Sequence, residues 1–515
     1  MKHLDKIATL ILGLALSVPL SATDYWVATD GSNGNDGSQD APFATLTKAL
    51  QKVQPGDNVY IRGGEYTVDE SWVMNKQDGE LYVKVFDITQ KATEAKPIRV
   101  FGVEGERPVF NMSGLTYTDH RIAVFYVSGS YWYFKNFEVT GTQVGIIGHT
   151  QSECFRIEKA SNNTIENVAC HSGMAIGFYL TGKCKDNLIV NCDAYDNIDL
   201  VSEGDATENV DGFGGHVSKG GTGNKFIGCR AWNNGDDGFD LINCHEPFVI
   251  ENCWALRNGY RPAPNHTSTT KGNGNGFKAG GYGMTEDPKV PETIPVHEIR
   301  NCLALYNKDK GFYANHHLGG ILFENNTSSQ NGINYDMTNR VSAAVVQDVP
   351  GYGRIIRNNI SHSPRNAGRD FNNVNRGKCT IDNNSFAPQA MTVADTDFLG
   401  LDEEELRGAR QGDGSLPKIN TLRMTDGAAG KFWGMGCFNI EIDYSWMQEA
   451  AIVVEGNYVR VVGTGAESFT KFFINGEEVA KDAENGKYSL AGFEGILDLK
   501  ATTESGGVTI LKIKK

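Results

Sequence analysis

The chain has 515 residues, 48 lysines and arginines against 63 aspartates and glutamates, a formal charge of −15, and 60 glycines. That length exceeds the roughly 250–300 residues one compact core usually serves, unless a repeat lets a single core run on lengthwise. With 40% apolar residues and no run of about 18 apolar residues beyond the extreme N-terminus, the sequence excludes an integral membrane protein and a largely disordered one, and an acidic chain without a clustered Lys/Arg stripe argues against nucleic acid as a partner.

In chain order, Lys2 and Lys6 precede an apolar stretch over residues 7–20, and Ser21-Ala22 close it. This is the pattern of a secretory leader over residues 1–22, so the mature protein is expected outside the cytoplasm: secreted, periplasmic or held at the cell surface. Next, Leu46, Ala49, Leu50 and Val53 recur at helical spacing in ATLTKALQKV, before the stop at Pro55-Gly56. A short helix here would cap an open sheet edge.

From residue 170 the sequence repeats itself. NVAC, LIVNC, FIGC, VIENC and EIRNC end at Cys170, Cys192, Cys229, Cys253 and Cys302, and the phrase continues without cysteine as NNTSSQN, NNISHSP and NNSF at 325, 358 and 383. The base period is 22 to 25, with insertions in three repeats, and 32 of the 43 asparagines fall within residues 151–400. Such a period with one short β phrase per unit marks a solenoid. Asparagine tolerates the left-handed backbone region and can bond to its equivalent in the next coil, and the leucine-rich phrase of a horseshoe is missing, so a parallel β-helix over residues 23–400 is expected. The aligned cysteines then form an inward stack of small buried thiols in preference to disulfides. Residues 401–440 lose the repeat and read as a connecting segment. Residues 441–515 alternate in short strands (YVRVVG, KFFINGEEV, GILDLKATTESGGVTILKIKK) and read as a small separate β domain of secretion, attachment or sugar-binding type.

The chemistry is concentrated where the Gly-Phe of each coil lines up: VDGFG at 210, DDGFD at 236, NGFK at 275 and KGFY at 310. Stacked coils set equivalent positions about 4.8 Å apart, so Asp211 should neighbour Asp237, and Asp240 should neighbour Lys278. Asp211, Asp236, Asp237 and Asp240 together crowd one edge. Four carboxylates in register repel one another unless a hard cation joins them, and Ca²⁺ suits a flexible all-oxygen set. Residues 193–252 hold 12 acids and 3 bases, whereas residues 253–310 hold 8 bases and 5 acids. An acidic pocket beside a basic shelf suits a polyuronate whose carboxylate reaches the cation.

The order VDGFG, NNGDDGFD, GNGFKAGG, behind YWVATDGSNGNDGS and APFATLTKAL, resembles the family 9 polysaccharide lyases, the pectate lyases and related enzymes, over about residues 24–390. The resemblance implies a right-handed parallel β-helix, Asp211, Asp236, Asp237 and Asp240 as calcium ligands, and Lys278 as the catalytic base. The implied reaction is calcium-dependent β-elimination at a 4-linked galacturonate of pectin, an acidic plant cell-wall polysaccharide, by a monomer. Homogalacturonan is the first substrate choice and rhamnogalacturonan I the alternative. Because neutral lysine is needed, an alkaline optimum and inactivation by chelators are expected.

Around this centre Asn275 and Lys310 share the aligned position of Asp211 and Asp237, and with Arg257 and Lys271 they are candidate substrate-binding residues. Lys308, Tyr313, His316 and His317 are further groove candidates, although adjacent His316 and His317 would point to opposite faces of a strand. No residue stands out as the acid for the leaving group. Two rivals stand beside the lyase reading. A β-helix glycosidase would use the aspartates as acid and base, but the Arg-Ile-Lys phrase expected of polygalacturonases is missing. A non-catalytic carbohydrate-binding surface protein has no use for a lysine in register with the acids.

Overall fold

A computed structural model describes residues 22–438, apart from 203–208, 265–266 and 285–289, and residues 451–514, apart from 456, 463–468, 483–485 and 504–507. The expected leader therefore lies outside the described residues except for Ala22, as do residues 441–450 of the expected C-terminal domain. Among the described residues no helix is long and apolar enough to cross a membrane.

Residues 24–382 wind into a parallel β-helix. One face is a ten-stranded parallel sheet, whose strands are β1 (Tyr82–Ile88), β2 (Arg121–Val127), β3 (Glu153–Glu158), β4 (Ile176–Gly182), β5 (Phe213–Val217), β6 (Phe239–Asp240), β7 (Phe277–Lys278), β8 (Lys310–Tyr313), β9 (Ile333–Asp336) and β10 (Phe371–Asn372). Two further stacks complete each coil, one running through Leu188–Val190, Lys225–Ile227 and Val249–Glu251, the other through Asp193–Tyr195, Arg230–Trp232 and Trp254–Leu256. In the earlier coils these two stacks are joined, because Trp132–Thr140 and Thr164–His171 run through both.

The repeated phrase is explained by the corner between those stacks. Its first residue turns the chain sharply at positive φ: Asn191 at 52°, Gly228 at 63°, Asn252 at 52°, Asn301 at 55°, Asn325 at 52° and Asn358 at 59°. Asparagine and glycine enter that region with little strain. The next residue points inward, and here cysteine and asparagine serve the same purpose. Cys229 N donates to Cys253 Sγ and Cys253 N to Cys302 Sγ, after which Cys302 N donates to Asn326 Oδ1 at 2.9 Å and the run continues through Asn359 and Asn384. All ten cysteines are free thiols and nine are buried, as the sequence reading preferred. A second ladder climbs Asn197, Asn234, Asn258, Asn307 and Asn331, with amide-to-amide distances of 2.9–3.1 Å. A third joins Asn163, Asn187 and Asn224.

Behind the ten-stranded sheet, Phe178, Phe213, Phe239, Phe277 and Phe312 stack nearly parallel at 4.8–5.0 Å. The glycine before each phenylalanine from β5 to β8 is sterically required. A Cβ on Gly238 would come within 2.8 Å of both Gly276 O and the Asn258 amide nitrogen. The Gly-Phe signature thus fixes how closely the site strands approach the ladder beneath them.

The N-terminal cap forms as α1 (Leu46–Leu50), shorter than the expected 44–53, with Thr45 as its N-cap. Leu46, Ala49, Leu50 and Val53 are all buried over the first coil. The segment read as a connector folds back along the helix flank. Phe398, Leu406, Leu416, Ile419 and Leu422 pack on Trp232, Trp254, Leu256, Leu303 and Leu305, and α2 (Asp426–Lys431) follows. Arg410 and Arg230 grip the buried Asp193 carboxylate at 2.6 and 2.7 Å. Beyond residue 450 the chain forms two antiparallel sheets around Val459, Phe472, Ile474, Leu497 and Leu499, and the Asn475-Gly476 pair makes the tight hairpin turn that its positive φ values allow.

Candidate active site

Two outward ladders on the ten-stranded sheet build the site. In the first, Asp211, Asp237, Asn275 and Lys310 occupy successive coils. Asp237 N donates to Asp211 Oδ1 at 3.0 Å, Asn275 N and Nδ2 donate to Asp237 Oδ1 at 2.7 and 2.8 Å, and Lys310 N donates to Asn275 Oδ1 at 3.3 Å. In the second, Gly214, Asp240, Lys278 and Tyr313 are register partners on β5 to β8. The ladders meet at Lys278, whose Nζ lies 3.0 Å from Asp240 Oδ2 and 3.1 Å from Asp237 Oδ2. Asp236 joins from the corner, accepting from Asn273 N at 2.6 Å.

All four aspartates are at most 5% exposed. Burial and mutual repulsion push the Asp211, Asp236 and Asp237 carboxyls above their ordinary range. Burial pulls the Lys278 amine down, but the surrounding carboxylates, Asp240 first, outweigh it and hold the amine well above its ordinary value. Asp237 Oδ2 is fully buried and faces the Lys278 ammonium at 3.1 Å. One ammonium among four buried carboxylates leaves most of their charge uncompensated, which fits a cation site, because oxygen donors of this charge are what a hard divalent ion takes. One oxygen from each of Asp211, Asp236 and Asp237 lies within 4.8 Å of the others.

The structure thus brings together all five residues expected at the centre, and it corrects two of the expected substrate contacts. Asn275 is 1% exposed, and its amide is spent on Asp237, so it positions a carboxylate from below and has no free edge for a sugar. Arg257 sits at a positive-φ corner of the opposite flank, where Nε reaches Glu403 at 2.6 Å and the guanidinium covers Tyr306. It therefore fastens the folded-back segment. Lys271 is exposed on the 259–272 insertion, which closes over Asp236 through Thr270 Oγ1 to Gly235 O at 2.5 Å and is pinned by Lys308 Nζ to Gly272 O at 2.6 Å. Lys310 pairs with Asp309 and covers the Tyr313 ring at 4.6 Å.

One neighbour left no signal in the sequence. His216 stacks on Tyr179 at 4.7 Å, and a ring nitrogen lies within 4.8 Å of Asp211 and Asp240. It reaches the site only because Gly214 has no side chain, since a Cβ there would stand 2.8 Å from Nε2. Tyr313, one of the expected groove candidates, does stand beside the site, joined to His316 at 2.8 Å. His317 turns inward and is fully buried, opposite to His316 as expected.

Residues 25–359 match the family described as "Pel9A-like, right handed beta helix region", and residues 375–512 match "Rhamnogalacturonan lyase-like, C-terminal". Pectate lyase L of Dickeya dadantii (strain 3937) is 33% identical over 428 residues, 82% of this chain and 88% of its own. A solved rhamnogalacturonan lyase is 49% identical at a TM-score of 0.78, covering 81% of this chain and 100% of its own. The crystal structure of pectate lyase Pel9A is 31% identical at a TM-score of 0.62, covering 79% and 90%.

Proposed function

Because this chain belongs to the Pel9A-like right-handed β-helix family of polysaccharide lyases, we propose that it cleaves the backbone of pectin at a 4-linked galacturonate by β-elimination, with Lys278 as the base. The observation that carries this reading is the Lys278 amine, 3.0 Å from Asp240 and 3.1 Å from Asp237, at the mouth of a buried four-carboxylate cluster. A hydrolase has no role for that amine, and a scaffold protein has no reason to bury those charges.

Asp211, Asp236, Asp237 and Asp240 would hold Ca²⁺. When bound, the ion would neutralise the uronate carboxylate and so acidify the hydrogen on C5. Lys278 takes that hydrogen, the C4–O4 bond breaks, and C4 and C5 become doubly bonded. Left with the carboxylates alone, Lys278 is an ammonium. It becomes a base only when their charge is taken up elsewhere, which ties catalysis to the cation and to alkaline pH. Asn275 and the Asn273 backbone hold Asp237 and Asp236 in place, and Gly272 at the end of the insertion packs against Asp236. Lys271 and Lys310 stand on the rim, where they would attract the acidic polymer.

Of the two pectin backbones, we propose rhamnogalacturonan I, reversing the order suggested by sequence alone. The 49% identical rhamnogalacturonan lyase and the match over residues 375–512 support this choice. Homogalacturonan is the second reading, supported by the 33% identical pectate lyase L. Incubation with each polymer, followed by ultraviolet detection of unsaturated uronate ends, tests the choice. Rhamnogalacturonan I should give the faster rise, and a faster rise on homogalacturonan would reverse the assignment. Export through the leader at residues 1–22 belongs to the same reading, because the polymer is extracellular.

A further inference from the structure

The elimination needs a proton at O4 of the leaving sugar, and the one residue in register with the base that carries a transferable proton is a phenol. Tyr313 on β8 is the direct register partner of Lys278 on β7, both on the outer face of the sheet. Its hydroxyl is held at 2.8 Å by His316 Nε2. His316 sits at a positive-φ turn, with Nδ1 at 3.2 Å from Asp348 Oδ1, and Asp348 belongs to the Val345–Val349 strand of a hairpin projecting from this coil. The Lys310 ammonium lies 4.6 Å from the ring centroid. The phenol is thus fixed at its oxygen, flanked by a cation, and one rung from the base.

Resting on the lyase reading above, we propose that Tyr313 is the general acid that protonates the leaving O4, oriented by His316 and Asp348. In the chair of a 4-linked α-galacturonate the C5–H and C4–O4 bonds point to opposite faces of the ring, so base and acid must approach the C4–C5 edge from opposite directions. Lys278 and Tyr313 start from strands about 4.8 Å apart along the helix axis, and their long side chains would diverge to reach the two faces of that edge. The step balances. Lys278 gains the C5 proton, its electron pair forms the C4–C5 double bond, the C4–O4 pair leaves with oxygen, and O4 takes the Tyr313 proton. The resulting ammonium and phenolate reset by exchanging one proton through solvent, so no net acid or base is consumed. Burial and then Asp336 hold the phenol above its ordinary value, which keeps it protonated into the alkaline range.

The test is Tyr313→Phe on whichever of rhamnogalacturonan I and homogalacturonan the wild type cleaves. The kcat should fall roughly 10²–10⁴-fold with KM within severalfold of wild type. A galacturonide carrying 2,4-dinitrophenolate at C4, a leaving group that needs no proton, should be eliminated by the variant within a few-fold of the wild-type rate. Equal losses on both substrates, or no loss on the polymer, would overturn the assignment. If Tyr313→Phe lowers the thermal midpoint, 3-fluorotyrosine at 313 keeps the packing, and the alkaline limb of the pH–rate profile should move down with the more acidic phenol; an unmoved limb would overturn the proposal. A wild-type enzyme that forms no unsaturated ends from either polymer contradicts the lyase reading instead.

Discussion

Lys278 and Asp240 face each other across adjacent strands, Nζ 3.0 Å from Oδ2, so the amine and the proposed cation would compete for one carboxylate. Removing the amine should therefore separate binding from catalysis. Lys278→Met is expected to lose roughly 10²–10⁴-fold in kcat while binding Ca²⁺ roughly tenfold more tightly in calorimetry, because about 1.4 kcal/mol of competing charge is gone. Unchanged or weaker Ca²⁺ binding would show that Lys278 does not share those carboxylates.

The repulsion among the four aspartates predicts an inverse effect for Asp237. In cation-free protein, Asp237→Asn should raise the thermal midpoint, because a fully buried charge disappears while the bonds from Asn275 find the amide oxygen. The same variant should lose the further rise that Ca²⁺ gives the wild type. A variant that still gains stability from Ca²⁺ as the wild type does would remove Asp237 from the site.

The asparagine ladder predicts a defect of stability alone. The Asn258 amide donates to Ala231 O and Asn307 Oδ1 and accepts from Asn234. Truncation leaves buried partners unpaired at about 1–3 kcal/mol each. Asn258→Ala is expected to lower the free energy of unfolding by about 2–3 kcal/mol with KM for the polymer unchanged, as read by chemical denaturation beside kinetics.

Burial would raise the Asp193 carboxyl, but Arg410 and then Arg230 outweigh it and hold it well below the usual carboxylate range. Since the folded state depresses this group, its stabilisation is present above the unfolded value near ~3.9 and is lost as pH falls through the folded one. Arg410→Ala should speed proteolysis within residues 395–438 at neutral pH, and the difference from wild type should narrow below about pH 4. A difference that is the same at all pH would mean Arg410 acts by packing.

What could be read from the sequence was what repeats. The corner asparagines, the Gly-Phe stack and the acids beside it recur at fixed spacing, so register alone put Asp211 beside Asp237 and Asp240 beside Lys278. Features that depend on a single excursion of the chain left no periodic trace. Asp193 and Arg410 are 217 positions apart, and they meet because a non-repeating segment folds back. Asn275 misled for a related reason: its alignment was correct, but spacing does not say which partner uses a side chain, and the charge that made Arg257 a candidate does not say which flank of the coil carries it. His216 depends on the missing side chain of Gly214, and the Tyr313–His316–Asp348 chain depends on a hairpin inserted in one coil.

The most direct measurement is ultraviolet absorbance during digestion of rhamnogalacturonan I, and in parallel of homogalacturonan, by wild type and Lys278→Ala, each with Ca²⁺ and with chelator. Unsaturated uronate ends should appear only with wild type and Ca²⁺. New reducing ends without that absorbance, or equal absorbance from Lys278→Ala, would contradict β-elimination by Lys278.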